Sequence, residues 1–393
     1  MKKVLFYFGN YCSENSKGGT EVATYRIAKA LKDTGQCEIY HAFHNYKGDS
    51  KGSVYSEIIE LPKSPALLIE NLADFIRRHK IEDVVVMGRF FKFGLIKKAI
   101  EKSGESTGLF FMQHFAPGSE KKKTTYSSSW HLLKLNPRRT RYYLRALFYP
   151  LLKLPRTIRW GKVYREVYEH SDKVVLLSDG YKKDYCKVAS LKDDSKIVAI
   201  PNIFQLPEGI ETKKFLKEKR VLILSRMDEI QKRISLALKI WKKIEDSREF
   251  ADWHLDIVGD GNNTDIVKRL IRKYQFKNVT FHGWQDREKF LERSAILMMT
   301  SEYEGLPLSL LEAQAYGVVP IAFNSFASLQ DIIQNDRNGV VVDRFGDIDE
   351  YTFKLKKLMG NEEYRLRLNS GSSLFKDRFS SEKIARQWLR ILT

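Results

Sequence analysis

The chain of 393 residues carries 68 Lys and Arg against 49 Asp and Glu, a formal net charge of +19, with 43% hydrophobic and 12% aromatic residues. At about 100–200 residues per domain, that length and a globular apolar fraction imply two packed domains and exclude disorder of the whole chain. No apolar run reaches the roughly 18–20 residues that span a bilayer, and Val4–Phe8 is too short for a signal-peptide core, so a cytoplasmic location is expected.

Short β-branched or aromatic runs alternate with amphipathic stretches, which predicts parallel sheets built from βαβ units. In the first half the runs Val4–Phe8, Ile39–Phe43, Val84–Met87, Leu109–Met112, Val174–Leu177 and Ile197–Ile200 read as strands. Between the first two, Ala23, Ile27, Ala30 and Leu31 fall on one helix face, which Thr20 could cap. The second half repeats the cadence at Val221–Leu224, Leu255–Val258, Val279–Phe281, Ile296–Met299, Val318–Ala322 and Val340–Val342. The expectation is an α/β protein of two Rossmann-like, doubly wound domains, 1–202 and 220–377, joined by a linker at 203–219. The last helix, with Ile384, Trp388 and Leu392 at i, i+4 and i+8, is expected to carry 378–393 back to the first domain.

The charge is uneven. From Ser119 to Arg165 thirteen bases face one acid, Glu120, and Tyr126, Trp130, Tyr142, Tyr143, Phe148, Tyr149 and Trp160 are interleaved with them. This insertion, about 119–165, is assigned to the first domain. Lys121, Lys122, Lys123, Arg138, Arg139 and Arg141 are its candidate contacts to an anionic membrane surface, where each base contributes about 1 kcal/mol. A solvated basic face and a nucleic-acid surface are the competing readings.

In doubly wound sheets ligands bind beyond the carboxyl ends of the strands, so the residues there are the candidates. After the strand ending at Met299 come Glu304, Gly305, Leu306, Pro307, Leu308 and Glu312, with Pro307 suited to the first helical position. A helix start offers free N–H groups to an anion, and Glu304 and Glu312 beside it suit the hydroxyls of a sugar and a ribose. After Leu224 stand Arg226 and, six residues on, Lys232 with Arg233 beside it, cations placed to hold a diphosphate. Asp260 and Gly261 follow another strand. In the first half Gly18 and Gly19 open a helix, without the GxGxxG of a dinucleotide fold or the Gly-Lys-Ser/Thr of a P-loop, and His114 follows the Leu109–Met112 strand. The three cysteines, Cys12, Cys37 and Cys186, form no disulfide or metal-ligand pattern. Asp347-Ile348-Asp349 reads as helix capping and surface charge.

Taken together, Gly18-Gly19, His114, Arg226 with Lys232 and Glu304 with Glu312 resemble the retaining GT-B glycosyltransferases of the large family four. The resemblance covers nearly the whole chain and is weakest over the basic insertion. Ser225 and Leu306 stand where that family more often has Gly and Phe. The resemblance implies a GT-B fold with two domains facing across a cleft and a nucleotide-diphosphate sugar as donor, UDP- or GDP-linked. It also implies transfer without a metal or other cofactor. Arg226 and Lys232 would lie on the phosphates, Glu304 at the transferred hexose and Glu312 at the ribose. Asp260, Gly261 and Trp284 match positions near the base, and His114 would hydrogen-bond the sugar or the acceptor. A saccharide acceptor carried on a lipid and a role in surface polysaccharide synthesis at the inner membrane face follow as expectations. The alternatives are a nucleotide-sugar 2-epimerase of the same fold and a basic nucleic-acid-binding protein; nucleic acid is not expected as a partner.

Overall fold

The structure, a computed structural model, describes residues 1–16, 18–45, 54–122, 126–135, 148–205, 209–210, 215–371 and 377–392, with the side chains at 126–129 and 149–152 outside the description. The chain divides into two compact units: Met1–Gly118 with Pro155–Gln205 and Asp377–Thr393, and Ser119–Leu154 with Leu206–Lys376.

The first unit is built on seven parallel strands: β1 (Lys2–Tyr7), β2 (Cys37–Phe43), β3 (Glu57–Glu60), β4 (Asp83–Met87), β5 (Gly108–Gln113), β6 (Lys173–Leu176) and β7 (Ile197–Ala199). Their spatial order is β3-β2-β1-β4-β5-β6-β7. The run Asp83-Val-Val-Val-Met87 is buried throughout, as a strand covered on both faces must be. Strand order reverses between β1, in register with β2 at Leu5 and Tyr40, and β4, in register with β1 at Val84 and Leu5. β3 has no counterpart among the expected strands, because Glu-Ile-Ile-Glu is a short sheet edge whose two glutamates are exposed. The helix Ser381–Leu389 packs on the helix Gly19–Asp33. Trp388 is fully buried there, its ring centroid 6.4 Å from that of Phe6, and Lys2 Nζ donates to Leu392 O at 2.7 Å.

The second unit has six parallel strands: β8 (Glu218–Leu224), β9 (His254–Val258), β10 (Val279–Gly283), β11 (Ser294–Met299), β12 (Val319–Phe323) and β13 (Val340–Val342). They are ordered β10-β9-β8-β11-β12-β13, so this sheet reverses between β8 and β11. Ile234, Leu238, Trp241 and Ile244 of the helix Ile234–Asp246 and Tyr351, Leu355 and Leu358 of the helix Ile348–Gly360 fill its core. Asp347 caps the latter helix, accepting from Glu350 N at 3.0 Å.

The assignment of the basic insertion to the first domain needs correction. Residues 119–154 group with the second unit, because Leu132 and Leu133 of the helix Tyr126–Leu135 are buried in that unit's core and Arg269 donates to Leu135 O at 3.0 Å. The change of unit falls at Pro155, inside the helix Tyr149–His170, where proline removes one rung of the helical hydrogen-bond ladder. Lys123, Arg138, Arg139 and Arg141 lie outside the described residues.

Candidate active site

Ligands of doubly wound sheets bind where strand order reverses, which in the second unit is the gap between β8 and β11. Three backbone bonds lay the loop after β8 on the loop after β9: Ser225 N to Val258 O at 3.1 Å, Met227 N to Asp260 O and Asn263 N to Met227 O, both at 3.0 Å. This approach excludes side chains at two positions. A Cβ on Gly259, whose φ is +131°, would lie 1.9 Å from Ser225 O, and one on Gly261 would lie 2.7 Å from Met227 O.

The β8 loop then turns on Asp228, whose carboxylate accepts from Ile230 N at 3.1 Å and Gln231 N at 3.2 Å. Arg233, at φ 52°, leads into the helix Ile234–Asp246, and its guanidinium pairs with Glu302. Glu302 N in turn donates to Gln231 O at 2.7 Å, tying the β8 loop to the loop after β11. Across this junction Lys232 Nζ meets Glu304 Oε1 at 2.5 Å, with side chains only 14% and 7% exposed. Gln231 joins the same array: its Nε2 donates to Glu304 Oε2 at 3.1 Å, and its Oε1 accepts from Arg226 Nη2 at 2.9 Å. Arg226, Gln231, Lys232 and Glu304 are therefore one connected cluster at the switch point. The half-exposed Arg226 guanidinium also lies 3.6 Å from Asp228.

Gly305, Leu306 and Pro307 are buried and lead into the helix Leu308–Ala315. Pro307 stands one position earlier than expected, at the cap rather than the first helical turn, and its side chain makes no capping hydrogen bond to the helix start. Glu312 lies in the second turn and pairs with Arg287 Nη1 at 3.0 Å. Beyond β9, Asp260 accepts from Gly261 N at 2.8 Å and from Thr264 Oγ1 at 2.5 Å, bonds that hold its carboxyl below the ordinary range. Trp284, next after β10, is 71% exposed.

Sequence reasoning missed two members of the β8 loop. One is Gln231, which bridges Arg226 to Glu304. The other is Glu229, buried among Asn263, Ser235 and His131. Neither residue type in a loop carries a periodic signal, and no spacing singled them out. Lys122 sits with Nζ 5.4 Å from the centre of the Tyr303 ring, one residue before Glu304.

The expected residues of the first unit occupy its own switch point and the strand beside it. Gly18 caps the helix Gly19–Asp33 in an extended conformation, with the Glu21 carboxylate folded back beside it, and Asn10 donates to Glu21 Oε1 at 2.9 Å. A Cβ on Gly19 would meet nothing within 4 Å. His114, directly after β5, is 7% exposed, and neither ring nitrogen has a hydrogen-bond partner among the described residues. Burial lowers its pKa from 6.5 to about 4, so the imidazole is neutral at pH 7. Among the described residues no group of His, Cys, Asp and Glu could hold a metal ion, and no helix is long and apolar enough to cross a membrane.

Residues 208–373 match the family described as glycosyl transferases group 1. A glycosyltransferase of Haemophilus influenzae, itself uncharacterized, is 29% identical over 224 residues, 56% of this chain and 61% of that protein. The amylovoran biosynthesis glycosyltransferase AmsD of Erwinia amylovora is 28% identical over 232 residues, 57% of this chain and 63% of its own length. The alignments thus span about three fifths of these two relatives. Among solved structures, the lipopolysaccharide outer core galactosyltransferase WaaB superposes with a TM-score of 0.67 at 18% identity, covering 99% of this chain and 98% of that one. TarM of S. aureus superposes with a TM-score of 0.74 at 14% identity, covering all of both chains. The family match thus lies over the unit that carries the β8–β11 cluster, and with two doubly wound parallel sheets that superpose on these structures along their whole length the chain has the GT-B fold.

Proposed function

We propose that the protein is a retaining glycosyltransferase that moves a hexose from a UDP- or GDP-linked donor to a saccharide acceptor carried on a lipid, in the synthesis of a surface polysaccharide. The observation that carries the reading is the cluster Arg226–Gln231–Glu304–Lys232, two cations and a carboxylate fixed at the switch point in the loops that precede the helices Ile234–Asp246 and Leu308–Ala315. AmsD, named for amylovoran biosynthesis, and WaaB, named as a lipopolysaccharide galactosyltransferase, support the polymer class.

In this reading the donor's diphosphate takes Arg226, Lys232 and the N–H groups at Leu308 as partners, which stabilise the charge that grows as the bond from the sugar to phosphate breaks. Lys232 then leaves Glu304, and the freed carboxylate accepts hydrogen bonds from the hexose hydroxyls. Glu312 serves the ribose in the same way, and Trp284, Asp260 and Gly261 flank the base. The acceptor hydroxyl attacks from the face the diphosphate leaves, and its proton passes to the departing phosphate oxygen, so configuration is retained and no side-chain nucleophile is required. Neutral His114 can both donate to and accept from a sugar hydroxyl. The charge on the phosphates is met by Arg226 and Lys232, and the reaction is proposed to proceed without a metal.

Membrane contact is part of the same proposal. On the first unit, Phe91 is 62% exposed and Ile158 50%, and the Arg159 guanidinium lies 5.2 Å from the Phe91 ring centre. Exposed apolar side chains bearing cations suit an anionic interface better than open solvent. Nucleic acid is not proposed as a partner.

Calorimetric titration with UDP, GDP, ADP and their hexose conjugates, with and without EDTA, tests the donor site. Micromolar binding of one nucleoside diphosphate that persists in EDTA and is lost in Arg226→Ala is expected. Failure of every nucleotide to bind would overturn the reading.

A further inference from the structure

Lys122 and the helix Tyr126–Leu135 touch both loops that carry the donor-site cluster, and all of these contacts lie within the second unit. Its anchor is the helix Tyr126–Leu135, held by Leu132 and Leu133 in the core and by Arg269 on Leu135 O. On the β8 side, His131 Nε2 lies 2.8 Å from Glu229 Oε1. On the β11 side, Lys122 stands over the ring of Tyr303.

Glu229 falls midway between Arg226 and Lys232 and is 1% exposed. A carboxylate so buried requires donors. Ser235 supplies two, its N–H at 3.0 Å on Oε2 and its hydroxyl on Oε1, and His131 supplies the third. A carboxylate only accepts, so Nε2 of His131 carries the proton. Glu229 N meanwhile donates to Asn263 Oδ1 at 2.9 Å. The residue is thus pinned from three directions. The conformation it fixes is the one that places Arg226 against Gln231 and Lys232 against Glu304.

We propose that the helix Tyr126–Leu135, with Lys122 before it, braces the nucleotide-sugar site, and that His131 is a positioning residue: by holding Glu229 it sets the two phosphate cations of the β8 loop. The proposal rests on the donor-site reading above and assigns to that site a segment that the sequence alone attached to the other domain. It also makes the basic insertion sensitive to more than a surface, since whatever engages it acts on a helix bonded to the donor loop.

The test compares the full chain with His131→Ala, with His131→Gln, whose amide can still donate to Glu229, and with His131→Leu, which keeps bulk without a donor should alanine fail to fold. Loss of one hydrogen bond to a buried charge predicts nucleoside diphosphate affinity weakened about 5–10-fold in the alanine or leucine variant. Donor KM should rise with it and kcat fall by a similar factor, because Arg226 and Lys232 act on the phosphates in both the bound and the transition state, while acceptor KM stays within about 2-fold and His131→Gln recovers most of both losses, a pattern that general destabilisation would not produce. Amide exchange of the ligand-free protein gives an independent reading: residues 226–233 should exchange faster in His131→Ala and return to the wild-type rate in His131→Gln. Unchanged affinity and unchanged exchange in a folded variant would overturn the brace. Should the wild-type protein bind none of UDP, GDP or ADP, the donor-site reading fails, and the exchange comparison alone decides whether His131 holds the loop.

Discussion

Lys232 and Glu304 hold each other at 2.5 Å with little access to water, and each is a costly charge without its partner. If the pair opens onto substrate, its value is catalytic as well as structural. Lys232→Ala is expected to lower kcat by about 10²–10³-fold, the usual loss when one preorganised charge on a transition state is removed. Lys232→Arg should recover part of it, and a drop of less than tenfold in steady-state assays would remove Lys232 from the mechanism. His114 makes a different prediction. Its folded pKa, about 4, lies below the unfolded value of 6.5, so between these limits the unfolded chain binds more protons and stability rises with pH. The contribution is complete above pH 6.5 and is lost as pH falls towards 4. His114→Phe should therefore lose less stability than the wild type between pH 7 and pH 4, by on the order of 3 kcal/mol; equal losses in urea titrations at both pH values would show that His114 does not titrate as its burial requires. His41, buried and also lowered to about 4, leaves a residual slope in both proteins. That Arg226, Lys232, Glu304 and His114 stand in the segments after strands was legible from the apolar runs that precede them. The roles of Gln231 and Glu229 were not, because they exist only once the loops are folded against each other.

At the scale of elements, twelve of the thirteen strands among the described residues follow from apolar runs, since parallel strands covered on both faces leave little else in their sequence. The exception, β3, pairs along one side only and keeps its acids in water, so its four residues carry no run. The helix Ser381–Leu389 shows what periodicity can and cannot say. Spacing gives the buried face of Ile384 and Trp388, whereas the helix Gly19–Asp33 that receives it is a tertiary choice. Since Trp388 is fully enclosed beside Phe6, Trp388→Ala should cost about 3–5 kcal/mol. Chemical denaturation measures it, and a loss below about 1 kcal/mol would mean that the helix contributes little to the first unit.

For the whole molecule, the placement of residues 119–154 was the feature furthest from the sequence. Leu132 and Leu133 can cover either sheet as far as their spacing shows, and a net +12 between Ser119 and Arg165 says that the surface is basic without saying to which unit it is fixed. The charge has a consequence for membrane binding that can be separated from the apolar one. If anionic lipid is the partner, affinity for phosphatidylglycerol vesicles should exceed that for phosphatidylcholine and fall as salt rises from 0.05 to 0.5 M, because the Debye length shrinks from about 14 Å to about 4 Å. Phe91→Ser with Ile158→Ser should weaken binding at every salt concentration, by roughly 1.5–3 kcal/mol for each fully inserted side chain, while leaving the salt dependence in place. Changing Lys121, Lys122, Lys123, Arg138, Arg139 and Arg141 to Ser should instead flatten the salt dependence. Sedimentation with vesicles distinguishes the two: a six-fold Ser variant with the wild-type salt dependence would show that the basic insertion does not meet lipid, and a double Phe91/Ile158 variant with wild-type affinity would free that surface from any membrane role.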